Sequence, residues 1–211
     1  MAQELKTQTP TPPVTPPPRM TYEEFLAWAD GIRAEWVDGE VIVMSPVSFA
    51  HQYVAEFLAA SLRVFAEEKN LGQVLTAPFQ MRLRARPSGR EPNVIFVARD
   101  RLDKLQNVYL DGPADVAIEI ISPDSRSRDR GDKYYEYEQA GVREYWLIDP
   151  ARKQAEFYQL GSNGIYSAVT IGDDALFHSD VIEGLWLKVD WLWQDPLPTL
   201  MSVLKEWGLV N

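Results

Sequence analysis

The chain of 211 residues contains no cysteine, which excludes disulfide frameworks and thiolate zinc sites. It has only two histidines, so a His-rich metal centre is excluded as well. Any resident metal must be held by oxygen, and the expected ion is Mg²⁺ or Mn²⁺. No apolar run approaches the ~20 residues of a membrane span, and the N-terminus lacks an apolar signal core. A soluble, cytoplasmic protein with no membrane partner is therefore expected. Positive charge is also scarce. The net charge is −10, which counts against a protein that coats nucleic acid but not against an enzyme with a local basic groove.

What remains is ample for a core, since 45% of the residues are hydrophobic. Residues 1–19 are rich in Thr and Pro and read as a solvated tail. Beyond residue 19 no composition break interrupts the chain, so 20–211 is expected to form one domain. Trp186, Trp191, Trp193 and Trp207 point to a well-packed C-terminal segment.

Thr21 and Glu24 form a capping box for a short helix ending near Gly31. Asp38-Gly39 lies between two apolar segments and predicts a hairpin, because such a turn needs positive φ. Glu35 and Glu40 flank that turn, and each is open to a solvent-facing reading. The spacing of Val54, Phe57, Leu58, Leu62 and Phe65 predicts a helix from Phe49 to about Asn70. His51 falls in its first turn and is read as a packed or hydrogen-bonded residue rather than a catalyst. Gln73 to Arg84 reads as one or two strands. From Arg82 to Lys104 the local charge reverses, with seven cations that either hold phosphates or line a solvated edge.

Asn93 opens another apolar strand, Val94 to Val97. The stretch Asp115 to Asp149 is the most informative. Val116 to Ile121 is a β-branched run stopped by Ser122-Pro123, and it carries one charge, Glu119. A helical pattern from about Arg128 to Ala140 ends at Gly141, and Tyr145 to Ile148 forms the next strand. This spacing predicts a crossover with both strands in one sheet. A hairpin (Ala155 to Leu160, Ile165 to Ile171) and a final helix (Pro198 to Trp207) complete the pattern.

A carboxylate in a buried strand needs a cation or donors. Asp129 and Lys133 lie four apart on the following helix, so Lys133 can reach back to Glu119. With Asn93 at the start of the neighbouring strand, two chemistries stay open. One is a hard-cation site with an activated water; the other is a structural Glu119–Lys133 ion pair.

The runs P-N-V-I-F-V, D-V-A-I-E-I-I-S-P-D-S-R-S-R-D-R-G-D-K-Y-Y-E-Y and G-V-R-E-Y-W-L-I-D-P resemble the Uma family of restriction-endonuclease-like proteins, within the PD-(D/E)xK nuclease superfamily. The segments E-W-V-D-G-E-V-I-V-M-S-P and S-D-V-I-E-G-L-W-L-K-V-D are also similar, so the resemblance spans roughly residues 20 to 207. It implies an α/β (α+β) fold with a restriction-endonuclease-like mixed sheet flanked by helices. It implies Mg²⁺ (or Mn²⁺) bound by Glu119, by the residue at position 93 and by the Ile120 carbonyl. The superfamily lysine two places after the glutamate would fall on Ile121, and Lys133 matches the displaced lysine. Glu40, or else Glu35, would add an acidic group. Where the family pattern has Asp this chain has Asn93, whose amide brings no charge. The implied activity is metal-dependent hydrolysis of DNA phosphodiesters, with a homodimer expected by analogy for a duplex cutter. The alternative is a non-catalytic module of the same fold that binds DNA or protein.

Overall fold

The computed structural model describes residues 19–123 and 125–211. The Thr/Pro-rich tail, apart from Arg19, lies outside them. In chain order the strands are β1 (Ala34–Val37), β2 (Glu40–Val43), β3 (Gly72–Thr76), β4 (Gln80–Leu83), β5 (Ser88–Arg90), β6 (Val94–Ala98), β7 (Tyr109–Asp111), β8 (Val116–Ile120), β9 (Glu144–Asp149), β10 (Gln154–Leu160), β11 (Tyr166–Ala168), β12 (Leu176–His178) and β13 (Trp186–Lys188). The α-helices are α1 (Tyr22–Trp28), α2 (Phe49–Glu68), α3 (Arg126–Arg130), α4 (Asp132–Ala140) and α5 (Leu200–Glu206). Among the described residues no helix is long and apolar enough to cross a membrane.

Two mixed sheets result. The larger has the order β11-β10-β9-β8-β6-β3, and the smaller β2-β1-β5-β4-β7. The expected crossover is present: β8 and β9 are parallel, with Val116 opposite Glu144 and Ile120 opposite Ile148. β6 runs antiparallel to β8, pairing Val94 with Ile118. The start of β6 and the end of β8 therefore lie side by side, which brings Asn93 next to Glu119.

Alternation along β8 divides the core. Val116, Ile118 and Ile120 face the cluster covered by α2, together with Trp146 and Phe157. Ala117 and Ile121 face the opposite cluster, with Tyr137, Val142 and Tyr145. Glu119 shares this second face and meets α4 there. The C-terminal segment closes the first cluster: Trp207 donates from Nε1 to the Trp186 carbonyl at 2.8 Å and packs edge-on against Phe65.

Local signals account for the element ends. The Thr21–Glu24 capping box forms in full. Asp38 (φ 47°) and Gly39 (φ 89°) adopt the paired left-handed conformations of a tight hairpin turn. The helix expected from Arg128 to Ala140 instead starts at Arg126 and breaks at Gly131. A Cβ at Gly131 would sit 2.7 Å from the Ser127 carbonyl oxygen, so only glycine fits this break. Gln73 to Arg84 divides into β3 and β4, which join different sheets.

Candidate active site

Lys133 stands at the centre of the site. Its ammonium lies 2.8 Å from Glu119 Oε1, 2.9 Å from Glu35 Oε1 and 3.5 Å from Asp129 Oδ1. The Tyr137 hydroxyl donates to the same Glu119 oxygen at 2.8 Å. Burial holds that phenol protonated well above its ordinary value, so it is a permanent donor. Both members of the central pair are removed from water, with side chains 3% exposed at Lys133 and 4% at Glu119.

Glu35 arrives from the smaller sheet. Its neighbours Ala34 and Trp36 face α1 and join Met20, Tyr22 and Phe25 in a third cluster, so the glutamate between them faces the other way. Its second oxygen accepts from Arg90 at 2.9 Å, and the backbone N–H of Glu91 donates to its first. Arg90 also holds Glu136 of α4 in a two-pronged pair at 2.8 and 2.7 Å. This geometry suits the planar guanidinium. Arg90 and Glu35 thus lock the smaller sheet to the helix that carries Lys133.

The charges follow from these contacts. Burial pushes the Glu119 carboxyl well above the usual range; Lys133 pulls it down, while the Asp129 and Glu35 carboxylates add to the push. Burial opposes the Lys133 ammonium, but Glu119, Glu35 and Asp129 outweigh it and hold it charged. Burial also acts against an ionised Glu35, yet Lys133 and Arg90 bring its pKa down to about 2.

A cavity of about 290 Å³ opens onto this cluster, and Asn93, Glu119, Ile120 and Lys133 line it together with His51, Asp129, Arg33 and Arg128. The three residues expected to converge at one sheet end do so. Asn93 spends its amide oxygen on the Ile120 backbone N–H at 2.7 Å. Glu40 is separated from the others. It pairs with Val37 beside the hairpin turn, is exposed, and does not line the cavity. The two glutamates flanking the turn differ through register: Glu35 lies two positions further from the turn than Val37, beneath α4, whereas Glu40 falls beyond that cover.

Both oxygens of the buried Asp129 carboxylate lack a hydrogen-bond partner among the described residues. So does His51 Nδ1, on a side chain whose pKa burial lowers. Among the described residues no group of three or more His, Cys, Asp or Glu side chains is set to hold a metal. The available donors are nevertheless of the hard-cation type. They are Glu119, the orphaned carboxylate of Asp129 and the lone pair that the Asn93 amide oxygen keeps beside its bond to Ile120. The like-charge crowding at Glu119 is the kind a bound cation relieves.

The cations of the basic segment, apart from Arg99, are committed to ion pairs, and none of them lines the cavity. Arg82 pairs with Glu23, Arg84 with Asp111, Arg86 and Arg90 with Glu136, Arg101 with Asp115 and Lys104 with Asp103. Arg99 has no ion pair among the described residues and lies in a different depression, with Arg63. The cations at the cavity, Arg33 and Arg128, lie outside that segment and carry no local signal that would single them out.

The chain matches the family described as "Uma2: Putative restriction endonuclease" over residues 22–190. It belongs to the Uma2 family. Its fold resembles the crystal structure of "a putative nuclease belonging to DUF820" from Anabaena variabilis, with a TM-score of 0.64 and 16% identity, over 76% of this chain and 89% of that one. No curated protein matches the chain. The Uma2 match and the shared fold bear out the restriction-endonuclease-like mixed α/β architecture and the resemblance read from the central motif.

Proposed function

We propose that this Uma2 protein is a divalent-metal-dependent endonuclease that hydrolyses phosphodiester bonds of DNA. The observation that carries this reading is the Lys133 ammonium held 2.8 Å from Glu119 on the wall of a cavity that Asn93 also lines. Glu119, Asn93 and the Ile120 carbonyl would hold Mg²⁺ or Mn²⁺, with Asp129 as a further carboxylate. When bound, the ion would supply Lewis-acid polarisation of the phosphate. The chain's own residues have defined parts. Lys133 stabilises the negative charge that develops on the phosphoryl oxygens. Its contact with Asp129, the longest of the three at 3.5 Å, is the one most easily exchanged for a phosphate oxygen. Glu35, braced by Arg90, fixes the ammonium in place, and Tyr137 orients the Glu119 carboxylate.

A second reading, a binding module without catalysis, is favoured by one specific observation: Lys133 is already compensated by three carboxylates, while Asn93 adds none. Cleavage of plasmid, linear duplex and single-stranded DNA with Mg²⁺ and Mn²⁺ separates the two. Metal-dependent cleavage that disappears in Lys133→Ala supports the nuclease. DNA binding unaffected by metal, with no cleavage in the native chain or in Asn93→Asp, supports the module.

A further inference from the structure

We propose that the cleft takes a single unpaired nucleic-acid strand, gripped at its phosphates by Arg33 and Arg128, rather than an intact duplex. The location of this cleft rests on the nuclease reading above. Three observations meet here.

The first is depth. The side chains of Glu119 and Lys133 are 4% and 3% exposed, so a phosphate reaches them only by entering the cavity. A duplex is stiff over ~150 base pairs and presents its phosphates on a convex surface. An unpaired strand bends phosphate by phosphate and can enter.

The second is the supply of cations. A duplex binder that makes ~6–10 phosphate contacts needs a comparable number of free cations. Six of the seven cations between Arg82 and Lys104 are tied to carboxylates, and the net charge is −10. The cavity itself offers two cations besides Lys133. Arg33, with 40% of its side chain exposed, makes one long contact to Glu91 at 3.6 Å. Among the described residues Arg128 has neither an ion pair nor a hydrogen-bond partner for its buried Nε. Two such groups suit a short grip on one strand.

The third is the path. A second depression of about 230 Å³ adjoins the first, and the two share Arg33 and Asn93. Gln52, Thr76 and Pro78 also line it. A strand whose scissile phosphate sits beside Lys133 continues over Asn93 into this depression, passing Arg33. A site built for one strand also needs no second copy of the chain to complete its cut.

The test is fluorescence anisotropy of one labelled oligonucleotide, single-stranded and as its duplex, with the full chain in EDTA across a salt series. The single strand is expected to bind roughly tenfold more tightly or better than the duplex. Its log–log salt slope should be about −1.4, from two contacts at ~−0.7 each. Arg33→Ala and Arg128→Ala should each bring the slope to about −0.7, whereas Arg33→Lys keeps it. Arg84→Ala, outside the cleft, should leave binding unchanged. Circular dichroism reports the folding of each variant, and the comparison of single strand with duplex needs none of them. Equal or tighter duplex binding overturns the proposal, as does a failure to bind either form, or folded arginine variants that bind like the native chain. Cleavage is scored separately on the same oligonucleotides with Mn²⁺. Single-strand binding without any cleavage overturns the nuclease reading and leaves this one standing.

Discussion

The Asn93 amide oxygen accepts the Ile120 backbone N–H at 2.7 Å, joining the start of β6 to the end of β8. An aspartate at this position could keep that bond with one oxygen and present a second, charged oxygen beside Glu119. Asn93→Asp is therefore expected to fold and to bind Mn²⁺ about tenfold more tightly or better, since one added unit charge within a few ångströms is worth several kcal/mol even at intermediate dielectric. Calorimetric titration with Mn²⁺ checks this. An unchanged affinity would place the cation away from Asn93. Asn93→Ala should instead lose about 1–3 kcal/mol, because it strands a backbone donor.

Lys133 neutralises carboxylates from three different elements, β1, β8 and α3. Lys133→Met removes the cation and leaves Glu35, Glu119 and Asp129 crowded and buried. A loss of about 3–5 kcal/mol in urea unfolding at neutral pH is expected. The deficit should shrink as pH falls, because the stranded carboxyls then take up protons. Pairing the change with Glu119→Gln should recover part of the loss. A Lys133→Met protein as stable as the native chain would show that the ammonium is not what holds these elements together.

Glu35 and Glu40 make a matched comparison. Glu35 is ionised in the fold with a pKa of about 2, because Lys133 and Arg90 together overcome the effect of burial. A depressed carboxyl contributes stability above its unfolded value, and this is lost as pH falls from about 4.5 toward 2. Glu35→Gln should lower stability at neutral pH and flatten the acid limb of the stability curve. Glu40→Gln, on the exposed hairpin end, should leave both unchanged. Acid titration of unfolding for the two variants decides which glutamate belongs to the site.

Much of this arrangement was legible where the signal was local. The β-branched run of β8, the helical spacing before Gly141 and the apolar β9 predict the parallel crossover, and Asp38-Gly39 predicts the hairpin. The smaller sheet was not legible, for a physical reason. β5 is Ser88–Arg90 and contains no apolar side chain. It is buried because Arg90 finds Glu35 and Glu136, partners 55 and 46 residues away. Arg90 therefore reads in the sequence as one more member of a basic surface. The Gly131 break was also hidden, because the helical pattern runs through it and the clash with the Ser127 carbonyl exists only once the chain is folded. Glu35 and Glu40 both appeared as candidates. Only the packing of α4 over the hairpin separates them.

Glu91 gives a pH dependence of the opposite sign. Burial raises its carboxyl from 4.5 to about 7, although Arg33 and Gln80 pull it down. Between those values the folded chain holds a proton that the unfolded chain has released. Stability from this group is thus fully present below about 4.5 and declines as pH rises to about 7. The full change corresponds to about 3 kcal/mol. Glu91→Gln mimics the protonated form, keeps a side chain of the same size and removes the titration. The variant should match the native chain near pH 4.5, become progressively more stable than it up to pH 7 and run parallel above that. Urea unfolding at a series of pH values measures the difference directly. A constant offset between the two proteins across this range would mean that Glu91 is ionised throughout, held by Arg33 at 3.6 Å in spite of its burial.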